Sequence, residues 1–243
     1  MSSDILKRAL GYPYVLPGSS YIVHNDSDHP MLAKDAADHR KGRVPVLAIG
    51  SNQSPDQIKR KFKGPDWLPI PCERCWLEDF DTVYSAHITA YGSIAAALHP
   101  CPGTRVSLYI NWLDEQHLPR MHETELGNEN YVYAELTGIR IKTEFGLDMS
   151  RAFFYRSNAG AFAPNGQPIP LAEVPAENRR YPAMRQSDVQ SHVHQATASD
   201  YGFEDFVLSS INDSKARSAR KTMMQQHAIP FTHHGLTVIK NRM

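Results

Sequence analysis

The apolar positions of the chain fall in short runs, and most of these runs read as strands. The first is residues 44–49, VPVLAI, which stops at Gly50-Ser51-Asn52. A helix start follows at once: Ser54 as N-cap, Pro55 at the first helical position, and Gln57 where a capping box places its return acceptor. The helix is predicted over 54–62, with Lys59, Arg60, Lys61 and Lys63 at the end the macrodipole favours for cations. Further on, Tyr84, Ala86, Ile88 and Ala90 alternate with Ser85, His87, Thr89 and Tyr91, the period of a half-buried strand. Residues 93–98 predict a second strand, His99-Pro100-Cys101-Pro102-Gly103 a turn, and 105–112 a third strand. Asp114 is a helix cap for a segment reaching Glu125. Pro119 either kinks that helix or opens its regular part. Strands are expected over 131–141 and 151–156, and a long Pro-, Asn- and Gly-rich loop over 157–185. Helices are expected over 187–198 and 203–227, and a last strand over 235–239.

Short strands with interspersed helices predict an α+β fold, a small mixed β-barrel or curved sheet with surrounding helices and a C-terminal helical extension. Three segments follow. Residues 1–43, with Pro13, Pro17, Gly18 and a polar run from His24 to His29, read as a surface arm. Residues 44–156 form the core, and 157–243 an extension packing on it. That extension is a candidate for covering the pocket or building a homodimer.

Composition narrows the class. At 243 residues the chain can bury a proper core without staples. Lys plus Arg and Asp plus Glu are both 26, so the net charge gives no indication of a nucleic-acid or anionic-membrane partner. No apolar run approaches the length of a membrane span. Three cysteines, an odd number, fit a reducing compartment, and a cytoplasmic protein acting on a small molecule is expected.

Two stretches carry candidate chemistry. The Gly50-Ser51-Asn52 turn can aim backbone N–H groups and a helix N-terminus at one place, a site for a carboxylate, phosphate or carbonyl oxygen. In RMHETELGNENY, Glu123 and Glu125 point to different sides of a helix end, and a carboxylate there that faces a pocket is a candidate general base, because partial burial raises its pKa toward neutrality. His122 lies beside both. Tyr91 and Tyr155 are candidates to reach the substrate. Cys72-x-x-Cys75 is a single pair and lacks the two further ligands of a structural zinc site, so no metal ligands are assigned.

Placed in order, these parts resemble the gamma-glutamylcyclotransferase-like family. The family's Tyr-Gly-Ser-Asn-Leu motif stands here as Ile49-Gly50-Ser51-Asn52-Gln53. Its small-residue strand and Pro-Gly turn correspond to Ser93-Ile94-Ala95-Ala96-Ala97 and Pro102-Gly103, followed by Val106-Ser107-Leu108-Tyr109. Its Leu-Asp-x-x-Glu-Gly helix end corresponds to Met121-His122-Glu123-Thr124-Glu125-Leu126, with Tyr131 opening the next strand. The resemblance spans about residues 44–156. It implies that Glu125 is the acid/base, that Ile49, Gly50, Ser51, Asn52 and Gln53 bind substrate, and that no metal or organic cofactor is needed. The parent reaction it implies is attack of a substrate amine on its own γ-carbonyl, releasing 5-oxoproline and an amine. The chain departs from the pattern at Ile49, Gln53, His122 and Leu126. The first two flank the turn, so the substrate need not be a glutamyl compound. An amidohydrolase or other proton-transfer enzyme on the same fold, and a non-catalytic binding module, are the alternatives.

Overall fold

The computed structural model describes residues 2–127, 129–197 and 200–240. In chain order the elements are α1 (Ser2–Leu10), β1 (Tyr21–His24), β2 (Ser27–Pro30), α2 (Ala36–Arg40), β3 (Val44–Ala48), α3 (Pro55–Lys61), β4 (Ile70–Ile88) and β5 (Ile94–Leu113). Then come α4 (His117–Leu126), β6 (Tyr131–Thr143), β7 (Asp148–Ser157), β8 (Ala161–Phe162) and β9 (Ala176–Glu177). The chain ends with α5 (Gln186–Ala196), α6 (Phe203–Asn212), α7 (Ser214–Gln225), β10 (Ala228–Ile229) and β11 (Leu236–Lys240).

The sheet order β4-β5-β3-β7-β6, with β6 returning to β4, closes a barrel. Its pairs are antiparallel except β3 with β7. Strand alternation divides the apolar residues between two cores. Leu47, Leu77, Leu108, Ile110, Leu136 and Phe154 belong to the main core, which runs on under the C-terminal helices. Val46, Ala48, Tyr109, Tyr133 and Tyr155 join the second core with Ile58 of α3, Phe62 just after it, and Met121 and Leu126 of α4. Two short helices are thereby seated where β3 ends and α4 passes. The fold is the expected α+β barrel with surrounding helices.

Several local expectations change once long-range pairing acts. Residues 84–91 and 93–112 are not three short strands; β4 and β5 form one long hairpin. The predicted turn at 99–103 is a bulge inside β5, where the register shifts between Glu78 and Phe80. Asp79 and Gly103 take positive φ there, of 66° and 84°, and the Gly103 N–H donates to Asp79 Oδ1 at 2.9 Å. Pairing with β4 on the far side of the bulge holds the strand together, which no local signal reveals. Helix α4 starts at His117 with Asp114 Oδ1 accepting from the N–H groups of Gln116 and His117, both at 3.0 Å. Pro119 sits in the first turn, where its missing N–H costs no helical bond. The predicted helix over 203–227 breaks at Asp213, whose side chain caps α7. The end of the predicted 187–198 helix at Ala198 lies outside the described residues.

The segment before Val44 is not a surface arm. Ala9 and Tyr12 lie in the main core, and Tyr21 and Val23 in the second. The polar run from His24 is the turn and outer strand of a hairpin, while β1 pairs with β4. The C-terminal helices are likewise continuous with the main core: Val189, Val193, Phe206, Val207 and Met224 are all buried in it. Arg179 ties the wrapping loop down by donating to both oxygens of the buried Asp81 at 2.8 and 3.0 Å. Among the described residues no helix is long and apolar enough to cross a membrane.

Candidate active site

Strand β3 runs into Gly50, and Ser51–Gln53 form one turn of 3₁₀ helix before α3. The turn uses two of its own donors: the Gln53 N–H bonds Gly50 O at 3.1 Å and the Ser54 N–H bonds Ser51 O at 2.9 Å. Of the other two, the Ser51 N–H donates to the Tyr12 hydroxyl, which leaves the Asn52 amide for a ligand. Pro55 opens α3 as expected, but Ser54 makes no side-chain cap. Gln57 does not close a capping box; its side chain lines the pocket instead.

The turn opens on a cavity of about 210 Å³. Gly50, Ser51, Asn52 and Gln57 line one side, Glu125 and Thr124 of α4 another. Leu47, Ile49 and Ala96 supply apolar wall, and Tyr12, Tyr91, Tyr131 and Tyr155 supply phenols. Of the residues assigned from sequence, the structure thus brings Ile49, Gly50, Ser51, Asn52, Tyr91, Tyr155 and Glu125 together. It does not bring in two others. Gln53 is fully buried and its amide donates back to Ile49 O at 3.0 Å, so it does not line the cavity. A polar side chain one residue past Asn52 points to the opposite side of the tight turn. His122 sits behind the wall, where its Nδ1 meets the Tyr155 hydroxyl at 2.8 Å.

Glu125 is held by two partners, both on Oε1. Asn52 Nδ2 donates at 3.1 Å, and Lys61 Nζ forms an ion pair with the same oxygen. Oε2 takes neither contact. Lys61 is 8% exposed and Glu125 15%, so the pair lies largely out of water. Asn52 is oriented by this contact: a carboxylate only accepts, so the amide turns Nδ2 to Glu125. Its Oδ1, like Gln57 Oε1, is buried without a partner.

The Tyr12 hydroxyl enters the site from the N-terminal segment and accepts from the Ala96 N–H at 2.9 Å, at the very place where a Cβ on Gly50 would stand. Burial pushes the phenols of Tyr12, Tyr91, Tyr131 and Tyr155 well above the ordinary range, so they stay neutral. Sequence reading missed Tyr12, Lys61, Gln57 and His87 as site residues. Lys61 carried only a helix-end charge signal, and Tyr12 none.

His87 also lines the cavity and is 1% exposed. Burial, and then the Lys221 charge, push its imidazole down to about 3. In the unfolded chain a histidine titrates near pH ~6.5, so unfolding takes up a proton between those values. The stabilisation is complete above the unfolded value and is lost as pH falls toward the folded one. His87 alone should make the protein about 2 kcal/mol less stable near pH 5 than near pH 7.5. His99, His117, His122 and His233 are shifted in the same direction by burial and add to the slope. Urea denaturation at the two pH values measures it, and His87→Gln should remove its share.

No protein-family model matches the chain. No curated protein sequence matches it. Among solved structures, one titled gamma-glutamyl cyclotransferase superposes with a TM-score of 0.36 at 14% identity, covering 81% of this chain and 93% of that one. An uncharacterised Homo sapiens protein gives 0.39 at 13% identity, covering 82% and 95%. An uncharacterised Pyrococcus horikoshii protein gives 0.31 at 13% identity, covering 65% and 99%. Likenesses this distant carry no conclusion about activity, which has to come from the site.

Proposed function

We propose that this protein is an acid/base enzyme of the gamma-glutamylcyclotransferase kind, acting on a small amino-acid derivative that bears an amine or amide. One observation supports this reading above the others. The Glu125 carboxylate, held by Lys61 and Asn52, lines one cavity with the Gly50-Ser51-Asn52 turn. An amine placed there lies beside the carboxylate that can take its proton.

In the parent reaction the substrate amine attacks its own γ-carbonyl, forming the lactam C–N bond. Glu125 Oε2 accepts the proton lost by the amine and returns it to the leaving nitrogen as the old C–N bond breaks. Ring closure to five members has high effective molarity, so the protein's work is to hold the curled conformer, move the proton and stabilise the oxyanion. The Asn52 amide is the turn's donor suited to the substrate's carboxylate or oxyanion. Ile49 gives the pocket an aliphatic flank in place of an aromatic one. Mass spectrometry of γ-glutamyl amides and of a metabolite mixture, before and after incubation, tests the reading. Release of 5-oxoproline or another lactam with a free amine is the expected result.

The Lys61–Glu125 ion pair favours a second reading, a binding module that holds its ligand without consuming it. Ligand binding without turnover, unchanged in Glu125→Gln, would select that reading.

A further inference from the structure

His87 stands in the cavity wall at the end of a buried hydrogen-bond chain that the mechanism above does not use. Its Nδ1 meets the Ser85 hydroxyl at 2.9 Å, and Ser85 meets the Ser157 hydroxyl at 2.7 Å. Ser157 in turn accepts from the Ala159 N–H at 3.2 Å. Ser85 is fully buried and Ser157 nearly so, which keeps water out of the chain.

Counting protons gives the chain a direction. An amide N–H can only donate, so Ser157 Oγ accepts from Ala159 and its own proton is free to go to Ser85. Ser85 then gives its proton to His87 Nδ1. In the reverse order Ser157 would accept twice, and its proton would find no acceptor among these contacts. A neutral imidazole that accepts at Nδ1 carries its proton at Nε2. With Nδ1 turned to Ser85, the ring's other edge is the one left for the cavity.

We infer that His87 is a neutral hydrogen-bond donor to the bound substrate, its Nε2–H tautomer set by the Ser157–Ser85 relay. The inference rests on the acid/base reading only for the atom it serves, the carbonyl oxygen that gains charge as the amine attacks. A neutral donor suits this role because it stabilises the oxyanion without adding a second cation beside Lys61. Burial of the ring and the nearby Lys221 charge keep it neutral at working pH. Ser85 and Ser157 are positioning residues.

Two measurements test this on the full chain. In ¹⁵N-labelled protein, two-bond ¹H–¹⁵N correlation assigned with His87→Gln should show His87 as a single Nε2–H tautomer near neutral pH. Ser85→Ala should convert it to a mixture. A wild-type Nδ1–H tautomer, or no change in Ser85→Ala, overturns the inference. In the second measurement, with γ-glutamyl methylamide as probe, His87→Leu should lower kcat/KM about 100-fold, mainly through kcat, as for loss of one oxyanion donor. His87→Gln, whose amide can replace the N–H, should recover at least about tenfold of that. Full activity in His87→Leu, or Gln no better than Leu, counts against it. If the wild type leaves the probe unconsumed, the cyclisation reading fails, and the spectrum alone decides the His87 assignment.

Discussion

Glu125→Gln should lower turnover by about 10²–10⁴-fold, the contribution of a positioned acid/base. The substitution keeps the shape of the side chain and a carbonyl oxygen that still accepts from Lys61, while removing the oxygen that can carry a proton. The fold should survive: Glu125 sits at the end of α4, and Met121 and Leu126, which anchor that helix in the second core, are untouched. Turnover and circular dichroism melting on the same preparation separate the two effects. A variant that keeps wild-type turnover removes Glu125 from the mechanism. A variant that fails to fold is replaced by Glu125→Asp, which keeps the charge on Lys61 but withdraws the carboxylate from the substrate.

Gly50→Ala should destabilise the protein by about 3 kcal/mol, the upper end of the range for overpacking, and abolish the site. A Cβ there would lie 2.0 Å from Tyr12 Oη and 2.9 Å from the Ala96 Cβ. Tyr12 is wedged in the core at 4% exposed and has nowhere to retreat. The glycine is required by this close approach. The double variant Gly50→Ala, Tyr12→Phe removes the worst contact but leaves the Tyr12 ring carbon at 3.0 Å, so it should recover part of the loss. Urea midpoints of the two single variants and the double variant measure the coupling. An unshifted midpoint in Gly50→Ala would mean that Tyr12 does not occupy the turn.

Both predictions depend on contacts between segments far apart in the chain, and these are where sequence reading ran out. Lys61 and Glu125 are 64 residues apart, and Tyr12 and Ala96 are 84 apart. Lys61 belongs to a run of helix-end cations that read only as favourable to the macrodipole. Only the packing of α3 beside α4 singles it out from Lys59, which pairs instead with Asp28 and Asp56 at the surface. Gln57 fits a capping box as well as any residue at that spacing; the cavity on its side of α3 draws it away. His87 occupies the polar face of an alternating strand, which predicts solvent. The long β4–β5 hairpin and Ser157 of β7 enclose that face instead.

What the sequence determined by itself was local. Alternation at period two marked the strands, and Asp114 and Pro55 marked helix starts. The Gly50-Ser51-Asn52 turn stood out because a tight turn needs particular residue types at particular spacings, whereas Glu125 was singled out from Glu123 by the family resemblance. These signals act over a few residues and survive without the rest of the chain. The tertiary structure alone decided the bulge at 99–103, the entry of Tyr12 into the turn, the retreat of Gln53 and the pairing of Lys61 with Glu125. Each is settled by which surfaces the closed barrel leaves buried together. Burial reassigns partners among polar groups that, in a local reading, would all have faced water.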